Sequence, residues 1–128
     1  MNGYAVFHDV YDAETIQVLK DEMAYIIDNF DIEKEKVEDF ETENQNRADY
    51  FINSAWKIKP FFEEDAKDEQ GNLVVPKSQA FNKVGHAMHD LHPAFESFSY
   101  SEVVKTLCRE IMLFKRPVIA QSMYIFKN

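Results

Sequence analysis

The sequence predicts an α+β chain. Three observations carry that expectation. Apolar residues recur at helical spacing near the start, a nearly continuous apolar run stands near the end, and turn-forming clusters separate short β-prone stretches between them. At 128 residues the chain is one domain at most. Eleven Phe and six Tyr supply enough ring surface to build a core.

The elements follow in order. Residues 3–10 read as a short strand, because Tyr4, Val6 and Phe7 favour extended backbone. Asp12 is a good N-cap. Behind it Ile16, Leu19, Met23, Ile26, Ile27 and Phe30 repeat with a helical period, while Glu14, Lys20, Asp21 and Asp28 fall largely on the other side. This predicts a helix over residues 13–30. Residues 31–47 are acidic and polar, and read mainly as a solvated connection. Residues 56–64 are rich in bulky apolar side chains, and Pro60 restricts any strand there to a sheet edge or a bulge. Asp68 to Asn72 form a turn cluster. Leu73, Val74 and Val75 then read as a strand, giving a hairpin-like unit.

Residues 80–91 read as helical, with Phe81, Val84, Met88 and Leu91 along one side, and Pro93 ends that helix or restarts a turn. Ser99 and Glu102 are spaced as a capping box for a helix over residues 100–113, whose apolar face uses Val103, Val104, Leu107, Ile111 and Met112. Residues 117–127 read as a strand. Val118, Ile119 and Met123 to Phe126 are so apolar that burial on both faces is expected. There are no internal repeats and no low-complexity segments.

Charge and composition exclude several functions. The net charge is -9, from 14 basic and 23 acidic residues. A nucleic-acid surface needs a basic stripe to neutralise phosphates, so no nucleic-acid partner is expected. An anionic membrane surface is equally disfavoured. No apolar run approaches the length of a membrane span, and the opening residues lack the basic and apolar regions of a signal peptide. Cys108 is the only cysteine, which rules out an intrachain disulfide and fits a reducing, intracellular setting, with the cytoplasm as the expected location.

Few residues carry recognisable chemistry. His86, His89 and His92 are spaced H-x-x-H-x-x-H, so either a metal cluster or three structural imidazoles is possible. On a helix His92 would lie about 600° of rotation beyond His86, well off its face. The spacing is also not that of a helical zinc site. An Fe(II) centre of the two-histidine, one-carboxylate kind would show H-x-D or H-x-E on a strand, where alternate residues point the same way. Neither follows His8, His86, His89 or His92. There is no phosphate-binding glycine loop and no nucleophile elbow. Cys108 sits in a predicted helix, where packing is the ordinary role of a lone cysteine. Lys83 lies among apolar residues, either as a snorkelling surface lysine or as the partner of an anionic ligand such as a carboxylate. No catalytic residue and no metal ligand is assigned in this chain.

Several segments together resemble one family. They are Ala48 through Glu64, Asp68 to Pro76, Asn82-Lys83-Val84-Gly85-His86-Ala87-Met88-His89 and Gln121-Ser122-Met123-Tyr124-Ile125-Phe126-Lys127. In order and spacing they are similar to the phytanoyl-CoA dioxygenase family of Fe(II)/2-oxoglutarate oxygenases. The resemblance covers nearly the whole chain and is weak in the acidic connection. It implies the N-terminal helical flank and first strands of a double-stranded β-helix (jelly roll), as an incomplete barrel. It also implies a small-molecule substrate, and Fe(II) and 2-oxoglutarate in the full-length family. Lys83 and Met123 carry over as 2-oxoglutarate contacts, Lys83 through its ammonium and Met123 through packing from a buried strand. The family's H-x-D pair follows shortly after the segment matching Gln121 to Lys127, and its distal histidine and cosubstrate arginine lie further on. The short helix usually found before the first strand is also missing. The resemblance therefore implies a fragment, a truncated gene product or a splice form. An alternative is a non-catalytic module that pairs through its C-terminal strand, with a partner or with itself.

Overall fold

A computed structural model describes residue 4, residues 6–32 and residues 49–127 of the chain. The acidic connection therefore lies mostly outside the described residues. Helix α1 runs Ala13–Asn29 and buries Leu19, Met23 and Ile27. Its start is fixed as expected: the Thr15 backbone N–H donates to Asp12 Oδ1 at 2.7 Å. Hydrogen bonds from Thr15, its side chain first and then this backbone N–H, hold Asp12 below its usual range. The other end is closed by a residue distant in sequence. Lys77 Nζ donates to Asp28 O at 3.0 Å and to Phe30 O at 2.7 Å. A cation is favourable there because the last carbonyls of a helix lack partners inside it.

Three antiparallel strands form one open sheet in the order β1-β2-β3. They are β1 (Ile58–Phe62), β2 (Phe81–His86) and β3 (Ser122–Ile125). Pro60 stands in β1, an edge strand, and the register slips between Phe61 and Phe62. Both features expected of a strand with an internal proline are therefore present. Between β1 and β2 the chain turns on Asp68, whose Oδ1 accepts from the N–H groups of Gln70 and Asn72 at 3.0 and 2.8 Å. Gly71 has φ 85° there, a conformation costly for a residue with a side chain.

The remaining elements are short. Helix α2 is Asp49–Asn53, α3 is Met88–Leu91, α4 is Pro93–Ser99 and α5 is Glu102–Thr106, which runs on into a π-helical turn at Leu107–Ile111. The core gathers Leu19, Met23 and Ile27 of α1 with Phe62, Phe81, Val84, Met88 and Phe95. Phe62 and Phe81 stack with centroids 5.0 Å apart, and Phe30 meets Phe81 edge-on at 6.5 Å. Tyr11 ties the segment before α1 to α4. Its ring packs on Phe98 at 4.4 Å, and its hydroxyl donates to Phe98 O at 3.2 Å.

Five expectations need correction. No strand forms among the described residues of the 3–10 segment: Val6 and Phe7 are exposed, and the backbone bends at Asp9, with φ 54°. Leu73 makes only an isolated bridge to Lys67, so the partner of β1 is β2 and not the Leu73–Val75 stretch. Residues 81–86 are strand rather than helix. The interval from Phe81 to Val84 suits a helix turn, yet this run is buried almost throughout, where period no longer separates strand from helix. The predicted helix over residues 100–113 begins later, with Ser101 rather than Ser99 at its cap, because Pro93 starts its own helix as far as Ser99. Finally, β3 spans only Ser122–Ile125 and is not buried on both faces; exposure alternates along it.

Met23 is the deepest residue of the α1 face. Met23→Ala is expected to cost about 2–5 kcal/mol of stability, the usual range for emptying such a site. Urea unfolding followed by far-ultraviolet circular dichroism measures it, and an unchanged midpoint would mean that α1 does not pack as described.

Candidate functional site

The pleat of β2 separates two tasks. Val84 lies opposite Pro60 on one side and Tyr124 on the other, and its face looks into the core. Lys83 lies opposite Phe61 and Ile125, and Gly85 lies opposite Met123. Directly opposed residues share a face. The two candidate residues, Lys83 and Met123, therefore stand on one face of adjacent strands, as diagonal neighbours.

Their surroundings differ. Lys83 is 6% exposed, and its Nζ lies over the rings of Phe51 at 5.4 Å and Phe61 at 5.2 Å. A cation over a ring face is attracted by the ring's quadrupole. Burial still penalises the ammonium and pushes the Lys83 pKa below its ordinary 10.5. Met123 is 40% exposed and corrects the expectation of packing from a buried strand. Its Cγ lies 3.1 Å from where a Cβ on Gly85 would stand. The missing side chain of Gly85 is what lets Met123 lie across β2.

His86 completes the group. Its ring meets Phe51 at 5.2 Å and Phe61 at 5.6 Å, and its Nδ1 lies 2.8 Å from Ser54 Oγ. Burial first, then the Lys83 charge, hold His86 below its usual 6.5, while a hydrogen bond to the Ser54 backbone pulls the other way. The aromatic walls from α2 and β1 and the Ser54 partner were not singled out as a site in the sequence. The only signal for them was the density of bulky residues around Phe51 and Phe61.

The three spaced histidines go to three different partners. His86 meets Ser54, His89 Nδ1 lies 2.8 Å from Ser122 Oγ, and His92 Nε2 lies 3.5 Å from Glu22 Oε2. Among the described residues, no group of three or more His, Cys, Asp or Glu side chains could hold a metal ion. Cys108 is a half-buried free thiol in the π-helical turn. No helix among the described residues is long and apolar enough to cross a membrane.

The family is now defined by comparison. Residues 1–128 match Phytanoyl-CoA dioxygenase (PhyH), and the chain belongs to that family. Among individual relatives, it is 40% identical over 132 residues to the phytanoyl-CoA dioxygenase domain-containing protein 1 of Danio rerio, covering 98% of this chain and 45% of that protein. The Dictyostelium discoideum homolog of that protein is 40% identical over 129 residues, covering 99% of this chain and 45% of the homolog. Phytanoyl-CoA dioxygenase 1 of Oryza sativa subsp. japonica is 40% identical over 127 residues, with 99% and 44% covered. The chain thus spans less than half the length of these relatives.

Burial of the Lys83 charge has a measurable sign. Below its lowered pKa the folded state carries the full desolvation cost, and above 10.5 the amine is neutral in both states. Lys83→Met is therefore expected to raise the urea midpoint at neutral pH. The advantage should shrink as pH rises through the window that ends at 10.5. A destabilised variant at neutral pH would show that the amine contributes more than it costs.

Proposed function

We propose that this chain is the N-terminal part of an Fe(II)/2-oxoglutarate-dependent dioxygenase, and that Lys83 and Met123 contact 2-oxoglutarate. The supporting observation is the buried amine of Lys83, on the same face of neighbouring strands as Met123. Lys83 is costly to bury, and an arriving carboxylate offsets that cost through charge-assisted hydrogen bonds. Met123, lying over Gly85, supplies apolar contact to the carbon chain of the ligand.

In the family's chemistry, iron and oxygen oxidise the substrate while 2-oxoglutarate is consumed. The described residues do not fit the iron, since no set of three suitable donors converges among them. No step through a metal is therefore assigned to this chain. The iron ligands are proposed to come from the part of the relatives that this chain does not match, and the open sheet to be the start of a jelly roll. On this reading residues 1–128 form one partial domain. The lone Cys108 supports an intracellular, cytoplasmic setting.

The reading is tested with the purified chain. Addition of 2-oxoglutarate should shift the Met123 methyl resonance saturably. Lys83→Ala should weaken that binding about ten- to hundredfold, the scale of a hydrogen bond to a charged group. Incubation with Fe(II), oxygen and 2-oxoglutarate should yield no succinate. An unmoved Met123 signal would remove the cosubstrate role, and clear succinate production would refute the assignment as an incomplete oxygenase.

A second reading is favoured by one observation: β3 ends the sheet and exposes Met123 and Ile125 at 40% and 55%. An edge of that kind can pair with another strand. On this reading the chain is an interaction module that dimerises through β3. A monodisperse dimer by light scattering, broken by Tyr124→Pro, is its expected result; a stable monomer counts against it.

A further inference from the structure

A cleft of about 280 Å³ lies beside His86, lined by Phe51, Ile52, Trp56 and Gln121 among others. Lys83 is not part of its lining. Its walls are largely apolar and aromatic, and His86 is the one titratable side chain that lines it.

The protonation pattern of His86 follows from its neighbour. Ser54 Oγ lies 2.5 Å from Phe51 O, a separation that requires a hydrogen between the two oxygens. A hydroxyl has one proton, so Ser54 Oγ can only accept from His86 Nδ1, 2.8 Å away. Nδ1 therefore carries the ring proton, and Nε2 keeps its lone pair. Burial and the nearby Lys83 charge both favour the neutral ring. Among the described residues Nε2 has no bonding partner, and the only side-chain polar atom both sealed from solvent and unpaired is His92 Nδ1. A residue only 3% exposed thus keeps one accessible acceptor atom.

We propose that this cleft binds a small uncharged molecule with an apolar body and one O–H or N–H donor, which His86 Nε2 accepts. The lone pair repels an anion, and the neighbouring Lys83 charge disfavours a cation. Phe51 and Trp56 supply flat walls for the apolar body. The inference does not rest on the cosubstrate reading, because a different side chain carries it and neither Lys83 nor Met123 lines this cleft.

The test uses the full chain, cyclohexanol and its methyl ether, which differ in the donor. Trp56 is the only tryptophan and lines the cleft, so its indole N–H gives one resonance to follow there. Cyclohexanol is expected to shift that resonance saturably and to bind about five- to tenfold tighter than the ether, the scale of one neutral hydrogen bond. His86→Phe should abolish the difference. Long-range proton–nitrogen spectra of the unaltered chain should show Nδ1 protonated and Nε2 bare, which decides the question even where the variant fails to fold. Equal binding of the two compounds, no shift with either, or a protonated Nε2 would overturn the proposal.

Discussion

The arrangement depends on β2 being buried on both sides while serving a different purpose on each. Val84 belongs to the core, together with Met23, Phe62 and Phe95. Lys83, one residue earlier, faces the aromatic group formed by Phe51 and Phe61. Strand geometry allows no compromise here, because a slip of one residue would exchange the two. The register is held by backbone pairing to β1 and β3 and continues past the strand ends, where Phe126 N–H donates to Asn82 O at 2.9 Å. Gly85 is part of the same constraint. A Cβ there would stand 3.1 Å from Met123 Cγ, so its absence leaves room for the Met123 side chain against β2.

A chain selected only for stability would place Met or Leu where Lys83 stands. The faces of Phe51 and Phe61 give back part of the ammonium's lost hydration, yet its lowered pKa records a remaining deficit. Such a deficit lies beside surface left open at Met123 and Ile125, and it is the feature on which the proposed role of Lys83 rests. His86 shows the related pattern for a neutral group. Ser54 occupies one ring nitrogen and leaves the other presented rather than satisfied. Both residues belong to one aromatic cluster, so Phe51 and Phe61 orient the two at once.

Much of this was legible in the sequence where local chemistry decides the outcome. Asp12 caps α1, the apolar period of α1 marks its buried face, and Pro60 sends β1 to an edge and to a bulge, all through forces acting within a few residues. The family resemblance named Lys83 and Met123 before their proximity could be known. What was not legible was tertiary. Phe81 and Val84 are three apart and suit a helix as well as a strand; β2 is a strand because β1 and β3 pair with it. Likewise Ser54 and His86 are 32 residues apart, and nothing in either segment predicts that they meet.

The two faces of β3 explain how the site can be open without weakening the fold. Tyr124 and Phe126 pack against the core, and the Tyr124 ring meets Phe95 edge-on at 6.5 Å. Met123 and Ile125 add little to that anchoring, since both remain largely accessible. The strand is thus positioned by its core-facing residues, and the Lys83 face is free to be covered by further structure, by a ligand or by another strand. Covering it would remove apolar surface from water without disturbing Val84, Phe81 or Met23. That separation lets the core-facing residues fix β2 and β3 while Met123 and Ile125 stay accessible.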